Sequence, residues 1–374
     1  MSQVLTPAAP TRNNNFNILR FGAAICVMAG HMGYIANSGV PKFLDIPINS
    51  IGVSVLFLLS GYLISQSWRS DPHPLRYLLK RFVRLWPAFA VCVLLMVYVA
   101  GPLLSTLGRE GYFQSWYTAY LSNLRFQIVF ALPGVFAEEL PYLNTVNGSF
   151  WTLPVEALTY ILCPLLIVVC NLPKNPKAKK GCMLGITAAA FLFEAWLYIT
   201  TPTMVAPSPG WIIYSTDWAA AWYLIVYFLM GMLYAAIPEI KRYLNIQWAI
   251  VLMIFMSCTH FDTPMQTLAV TLTLPYFIFS FALIDKPLFP RFGAKYDITY
   301  GIYLYGFFFQ QLAAWIINVR MHQYFTYMML FAVSLVPTLI AAWLSHMLIE
   351  RPLSRLLQWL FKRSRENRQE HKHA

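Results

Sequence analysis

Ten apolar stretches recur along this 374-residue chain, and they restrict its fold more than any other feature. They fall near 17–37, 49–67, 86–107, 151–171, 181–200, 218–237, 246–261, 265–284, 299–318 and 325–349, each bounded by Pro, Gly or charged residues. About 20 apolar residues carry a helix across the hydrocarbon core of a bilayer. Inside that core the backbone must satisfy its own polar groups, which leaves helices as the spanning element here. The expected fold is all-α, a polytopic bundle of about ten transmembrane helices, with 246–261 short for a span. Charged residues make up 11% of the chain, against about 25% in a soluble domain. That is too little charge to cover a water-facing surface. The reading divides the chain into an N-terminal segment 1–16, a membrane domain 17–349 and a basic tail 350–374, with the part from Arg363 onward expected to be solvated and disordered.

Orientation follows from the basic residues. With the N-terminus inside, the inner segments hold 22 of the 27 Lys and Arg, while the outer ones hold only Lys42, Arg109, Arg125 and Arg320; Arg20 lies in the first helix. Basic residues stay on the cytoplasmic side during insertion, so both termini are expected in the cytoplasm. The net charge of +12 then reflects topology and attraction to anionic headgroups. The lipid bilayer is the expected partner, and nucleic acid is not. The first fifteen residues are polar and no cleavage site follows the first apolar run, so no cleaved leader is expected. Cys26, Cys92, Cys163, Cys170, Cys182 and Cys258 show no CxxC spacing. They read as small residues of the bundle, and Cys258 with His260 is too isolated to argue for a metal.

Ionisable groups within a bilayer are costly, so each is a functional candidate. Arg20 and His31 are eleven residues apart in the first helix, almost three full turns, so they share a face. At 1.5 Å per residue His31 stands roughly 16 Å above Arg20, near mid-membrane. In the second helix, Ser60-Gly61-Tyr62 combines a close-approach glycine with two hydroxyls that can bond across helices. Arg81 and Arg84, in the following inner segment, point the same way if that stretch is helical. Paired guanidiniums at a membrane surface suit a pyrophosphate, and plain positive-inside anchoring is the alternative. Trp151 and Glu156 open the fourth helix; a carboxylate there suits a proton acceptor, a proton donor or an orienting group. Asp297 can cap the ninth helix, and Tyr300, Tyr303 and Tyr305 line either an interface or a cavity. A long outer segment, 108–150, rich in Tyr, Trp, Phe and Asn, is expected to be functional or to carry short structure of its own.

Taken together these segments resemble the acyltransferase-3 family of membrane acyltransferases, in its stand-alone form. The resemblance spans about residues 15–355 and rests on Arg20 with His31, Phe57–Tyr62, Arg81 and Arg84 with Pro87, Trp151–Glu156, Tyr223–Tyr234 with Gly231, and Asp297–Tyr305. It implies transfer of an acyl group, usually acetyl, from cytoplasmic acyl-CoA to a hydroxyl across the membrane, with no permanently bound cofactor and no metal. It places Arg20 and His31 on the catalytic helix, Glu156 at the family's Trp–Glu position and Arg81 with Arg84 at the donor site. Ser60, Gly61, Tyr62, Trp151 and Tyr300 support them. Members often carry a His after the Tyr-rich segment, where this chain has Gly306. The acceptor is a glycan, expected to be a surface polysaccharide, or a small-molecule hydroxyl, and the expected location is a bacterial cytoplasmic membrane. His31 would act as general base or as an acyl-imidazole nucleophile. Two other classes fit the same polar residues: a proton-coupled transporter or flippase, and a non-catalytic assembly subunit.

Overall fold

A computed structural model of the chain describes residues 14–138, 140–200, 211–259, 263–293, 295–321, 324 and 326–373. Residues 1–13 of the N-terminal segment and His260 lie outside them. The described chain is a helical bundle. Its helices are α1 (Phe16–Ile35), α2 (Ile48–Ser70), α3 (Pro74–Leu95), α4 (Gly101–Leu104), α5 (Gly108–Phe113), α6 (Leu153–Asn171), α7 (Pro176–Thr200), α8 (Trp218–Ala236), α9 (Ile246–Cys258), α10 (Thr263–Ala282), α11 (Thr299–Trp315), α12 (Tyr327–Ser345) and α13 (Arg351–His373). Eight helical stretches among the described residues are long and apolar enough to cross a membrane. Each of the ten apolar segments forms a helix. Two of them differ from a simple span. α9 has only 13 residues. α11 carries tyrosines and glutamines that lower its hydropathy, and it runs buried through the bundle. Its polar side chains serve as packing bonds: Gln310 donates to the Met28 carbonyl (2.7 Å) and Gln311 to those of Tyr142 (2.8 Å) and Thr145 (2.9 Å).

Two boundaries move. The third helix begins at Pro74 rather than 86, with Pro74 in its first turn and the His73 side chain accepting from the Arg76 amide. A proline there loses no intrahelical bond. Arg81 and Arg84 therefore sit on a helix and share a face. The tail expected to be disordered from Arg363 is helical to His373. After Pro352 it contains no Gly or Pro and is rich in the good helix formers Arg, Lys, Gln and Glu, which carry the helix onward. The segment 108–150 does hold short structure: α5, a 3-10 stretch Tyr117–Arg125 and the start of another, Gly148–Thr152.

The centre of the bundle is the crossing of α2 and α8. A two-residue hairpin precedes each. Lys42–Phe43 pairs with Ile46–Pro47, and Ile212–Ile213 with Thr216–Asp217, both antiparallel. Leu44, Asp45, Tyr214 and Ser215 all have positive φ, the backbone of a tight primed turn. At the crossing, a Cβ on Gly61 would stand 2.0 Å from the Phe228 carbonyl oxygen, and one on Gly231 would stand 2.1 Å from that of Leu58. Neither backbone can retreat without separating the helices. Gly61→Ala and Gly231→Ala are each expected to cost about 1–3 kcal/mol through overpacking, seen as a lower melting temperature in detergent. Gly22→Ala, where a Cβ meets nothing within 4 Å, serves as the control and should melt as the parent does.

Candidate active site

Arg20 and His31, set on one face of α1, open into two different cavities. The larger, of about 410 Å³, takes Arg20 from α1, Ser60 from α2, Lys80, Arg81 and Arg84 from α3, Glu156 and Tyr160 from α6, and Tyr300 and Tyr303 from α11. Four cations and one carboxylate give this basic cavity a positive balance. Helix α13 closes one side with Ser354, Leu357, Gln358 and Phe361, so part of the tail belongs to the site. The second cavity, of about 230 Å³, holds His31 with Tyr34, Asn49, Phe130, Tyr142, Trp151 and Phe307.

The guanidiniums of the basic cavity differ in their partners. Arg20 donates to Asp297 Oδ2 at 2.7 Å, and Arg84 reaches the same oxygen at 3.1 Å and Glu350 at 3.4 Å. Asp297 also accepts from the Thr299 amide at the start of α11 (3.3 Å), but from one residue before the N-cap, which is Ile298 and not the aspartate. Burial alone would raise the Asp297 carboxyl, but the flanking Arg20 and Arg84 outweigh it and hold it well below the usual carboxylate range. This network ties α1, α3, α11 and the end of α12 together at the mouth of the cavity. Arg81 makes no ion pair among the described residues. Its guanidinium lies against the Tyr77 and Tyr160 rings and bonds Ser67 Oγ at 3.4 Å, while its Nε is buried without a partner. Lys80 is engaged by Asp71 at 2.9 Å.

Glu156 accepts a short hydrogen bond from Tyr160 within the basic cavity. It is therefore not beside His31. The imidazole belongs to the sixteenth of the 20 residues of α1, which ends at Ile35. His31 is 8% exposed and packs edge-on to Phe307 with centroids 5.2 Å apart. Its nitrogens bond to no described residue, which leaves both open to the cavity. Beside it stands Asn49, whose buried Oδ1 has no partner. A Cβ on Gly30 would lie 2.5 Å from that side chain, so the glycine preceding His31 makes room for the asparagine.

The remaining candidates divide between the two cavities and the packing. Ser60 and Tyr300 line the basic cavity; the Tyr300 hydroxyl donates to the Leu85 carbonyl at 2.7 Å. Trp151 lines the histidine cavity. Gly61 belongs to the α2–α8 crossing, and Tyr62 stacks on Phe16 and meets Phe279 at a tilt. Sequence reasoning missed Asn49, Thr152, Tyr160 and Glu350. Only Glu350 left a signal, as a carboxylate at the end of the last apolar run.

Comparison with known proteins adds independent findings. A family model described as an acyltransferase domain matches residues 13–347. An O-acetyl transferase of Shigella phage Sf6 is 26% identical over 335 residues, covering 86% of this chain and 91% of that protein. Nodulation protein 10 of Rhizobium leguminosarum bv. viciae is 29% identical over 170 residues, 42% of this chain and 44% of that one. Peptidoglycan O-acetyltransferase OatA of Listeria monocytogenes is 26% identical over 215 residues, 53% of this chain and 30% of its own length. No solved structure matches the chain.

Proposed function

From the premise that the chain belongs to the acyltransferase-3 family of membrane acyltransferases, we propose that it transfers an acetyl group from cytoplasmic acyl-CoA to a glycan hydroxyl across a bacterial cytoplasmic membrane. The observation that carries this reading is the pair of cavities on one face of α1, one cationic and one holding an open imidazole. The cationic side faces the cytoplasm in the orientation that the basic residues favour. Acyl-CoA cannot cross a bilayer, but its thioester arm is narrow enough to reach inward while its phosphates stay at the mouth. Arg81 is free to hold those phosphates, and Arg84 adds positive potential beside it.

On the far side, the unprotonated His31 accepts the proton of the acceptor hydroxyl. The hydroxyl oxygen attacks the thioester carbonyl carbon, the carbon–sulfur bond breaks, and the departing thiolate takes the proton back from the imidazolium. Asn49 Oδ1 offers a hydrogen-bond acceptor for a second hydroxyl of the substrate. Phe130, Tyr142 and Trp151 supply aromatic faces of the kind on which sugar rings stack. That chemistry, with the O-acetyltransferase names of two relatives, favours a surface polysaccharide.

Purified protein in proteoliposomes, given radiolabelled acetyl-CoA, tests the reading. CoA release that rises on adding extracted surface glycan, with label appearing as an ester on that glycan, is the expected result. Movement of a substrate across the vesicle wall without CoA release would instead make the protein a carrier.

A further inference from the structure

The two cavities are stacked and do not merge. The same elements wall both: α2 places Val53 in the basic cavity and Asn49 in the histidine cavity, and α11 does so with Tyr303 and Phe307. Each pair is four residues apart, one helical turn or about 6 Å. Between α6 and the outer segment the adjacent residues Thr152 and Trp151 face opposite ways. Along both helices, then, one turn separates a residue of one lining from a residue of the other.

Both hydroxyl hydrogens at the polar centre of this boundary are committed. Tyr303 donates its one hydroxyl hydrogen to the Ser149 carbonyl at 2.7 Å. The short bond between Thr152 and Tyr303 must then have Thr152 as donor, because a phenol has a single O–H. No hydrogen of the pair is left for water on either side. The 3-10 stretch that carries Ser149 and Thr152 is clamped to α11 at its other end. Asn147 donates to the Leu304 carbonyl at 2.7 Å, and Gly148 lies so close to Phe307 that a Cβ would stand 2.6 Å from the ring. Such helices have poorer hydrogen-bond geometry than α-helices, so this stretch is the one that can yield.

We propose that Tyr303 and Thr152 form a water-tight partition between the donor and acceptor cavities, and that this pair decides whether the acyl group goes to the acceptor or to water. The proposal rests on the acyl-CoA reading above. Closed, the pair keeps water of the far side from the thioester, whose hydrolysis would yield acetate and the CoA thiol. Parting of Thr152 from Tyr303 admits the acyl end of the arm, which then fills the opening it made.

Tyr303→Phe keeps the ring but removes the phenol oxygen that joins the Ser149 carbonyl and the Thr152 hydroxyl. A water can take that place and link the cavities. In proteoliposomes with labelled acetyl-CoA, Tyr303→Phe and Thr152→Val are expected to release acetate several-fold faster without acceptor, and to form less ester per CoA released. Thr152→Ser, which keeps the hydroxyl, is expected to retain the parental ratio. A parental acetate rate in both Tyr303→Phe and Thr152→Val overturns the partition, and so does loss of transfer with no rise in acetate. A parent protein that neither transfers nor hydrolyses acetyl-CoA fails the functional reading itself, a result distinct from either.

Discussion

His31→Ala is expected to all but remove acyl transfer while the protein still folds and binds CoA. The expected loss is roughly 100- to 10,000-fold, the range that a positioned general base contributes. CoA binding should survive because Arg81, Arg84 and the rest of the basic cavity line a different cavity from the imidazole. His31→Gln fails as well: its amide can hydrogen-bond in the same space but cannot accept a proton near neutral pH. Steady-state transfer, CoA titration and a melting curve on the same preparations separate these effects. An acetyl group trapped on His31 without acceptor would establish an acyl-imidazole route in place of direct transfer. Substantial ester formation by His31→Ala would remove His31 from the chemistry and leave it a packing residue.

The second large effect divides two neighbouring arginines. Arg81→Ala should weaken CoA binding about 10- to 100-fold, the equivalent of roughly 1.5–3 kcal/mol for lost hydrogen bonds to a charged group. It should leave the melting temperature near that of the parent, because Arg81 holds no carboxylate. Arg84→Ala has a different signature. It strips Asp297 and Glu350 of a partner, so it should lower thermal stability as well as affinity. That loss stays below the roughly 3–5 kcal/mol of a broken buried pair, since the Arg84 side chain is 30% exposed. Arg81→Lys should recover only part of the affinity, as a point charge lacks the planar fork. Raised salt should weaken binding in the parent too. Equal CoA affinity in the parent and Arg81→Ala would make the arginine a topology anchor.

The bundle was legible in the chain because hydrophobic length is a local property: each apolar run states its own ability to span. The shared face of Arg20 and His31 was legible for the same reason, since helical period alone decides it. What lay beyond the sequence is depth and partnership. Glu156 follows Trp151 by five residues, yet the turn from 3-10 to α-helix puts the two in different cavities. Nothing local tells Arg84, which is bound to Asp297 and Glu350, from Arg81, which is not. Both of Arg84's partners lie more than 200 residues away in the chain. Asn49 is one polar residue at the start of an apolar run, and only its place beside Gly30 brings it to His31. α11 carries two adjacent glutamines and several tyrosines, so hydropathy understates how deeply it is buried.

The α2–α8 crossing brings together two units built alike. Lys42 stands to Ile212, Asp45 to Ser215, Ile48 to Trp218 and Gly61 to Gly231 at one constant offset of 170 residues. The contact is reciprocal at that same offset: Gly61 meets Phe228, and Gly231 meets Leu58. Two hairpin–helix units that meet through equivalent atoms form a contact with local two-fold character, so each crowded position in one unit has a counterpart in the other. The helix before the first unit holds Arg20 and His31, whereas the helix before the second holds the buried Glu194. The two units thus share a backbone geometry without sharing the ionisable residues that precede it.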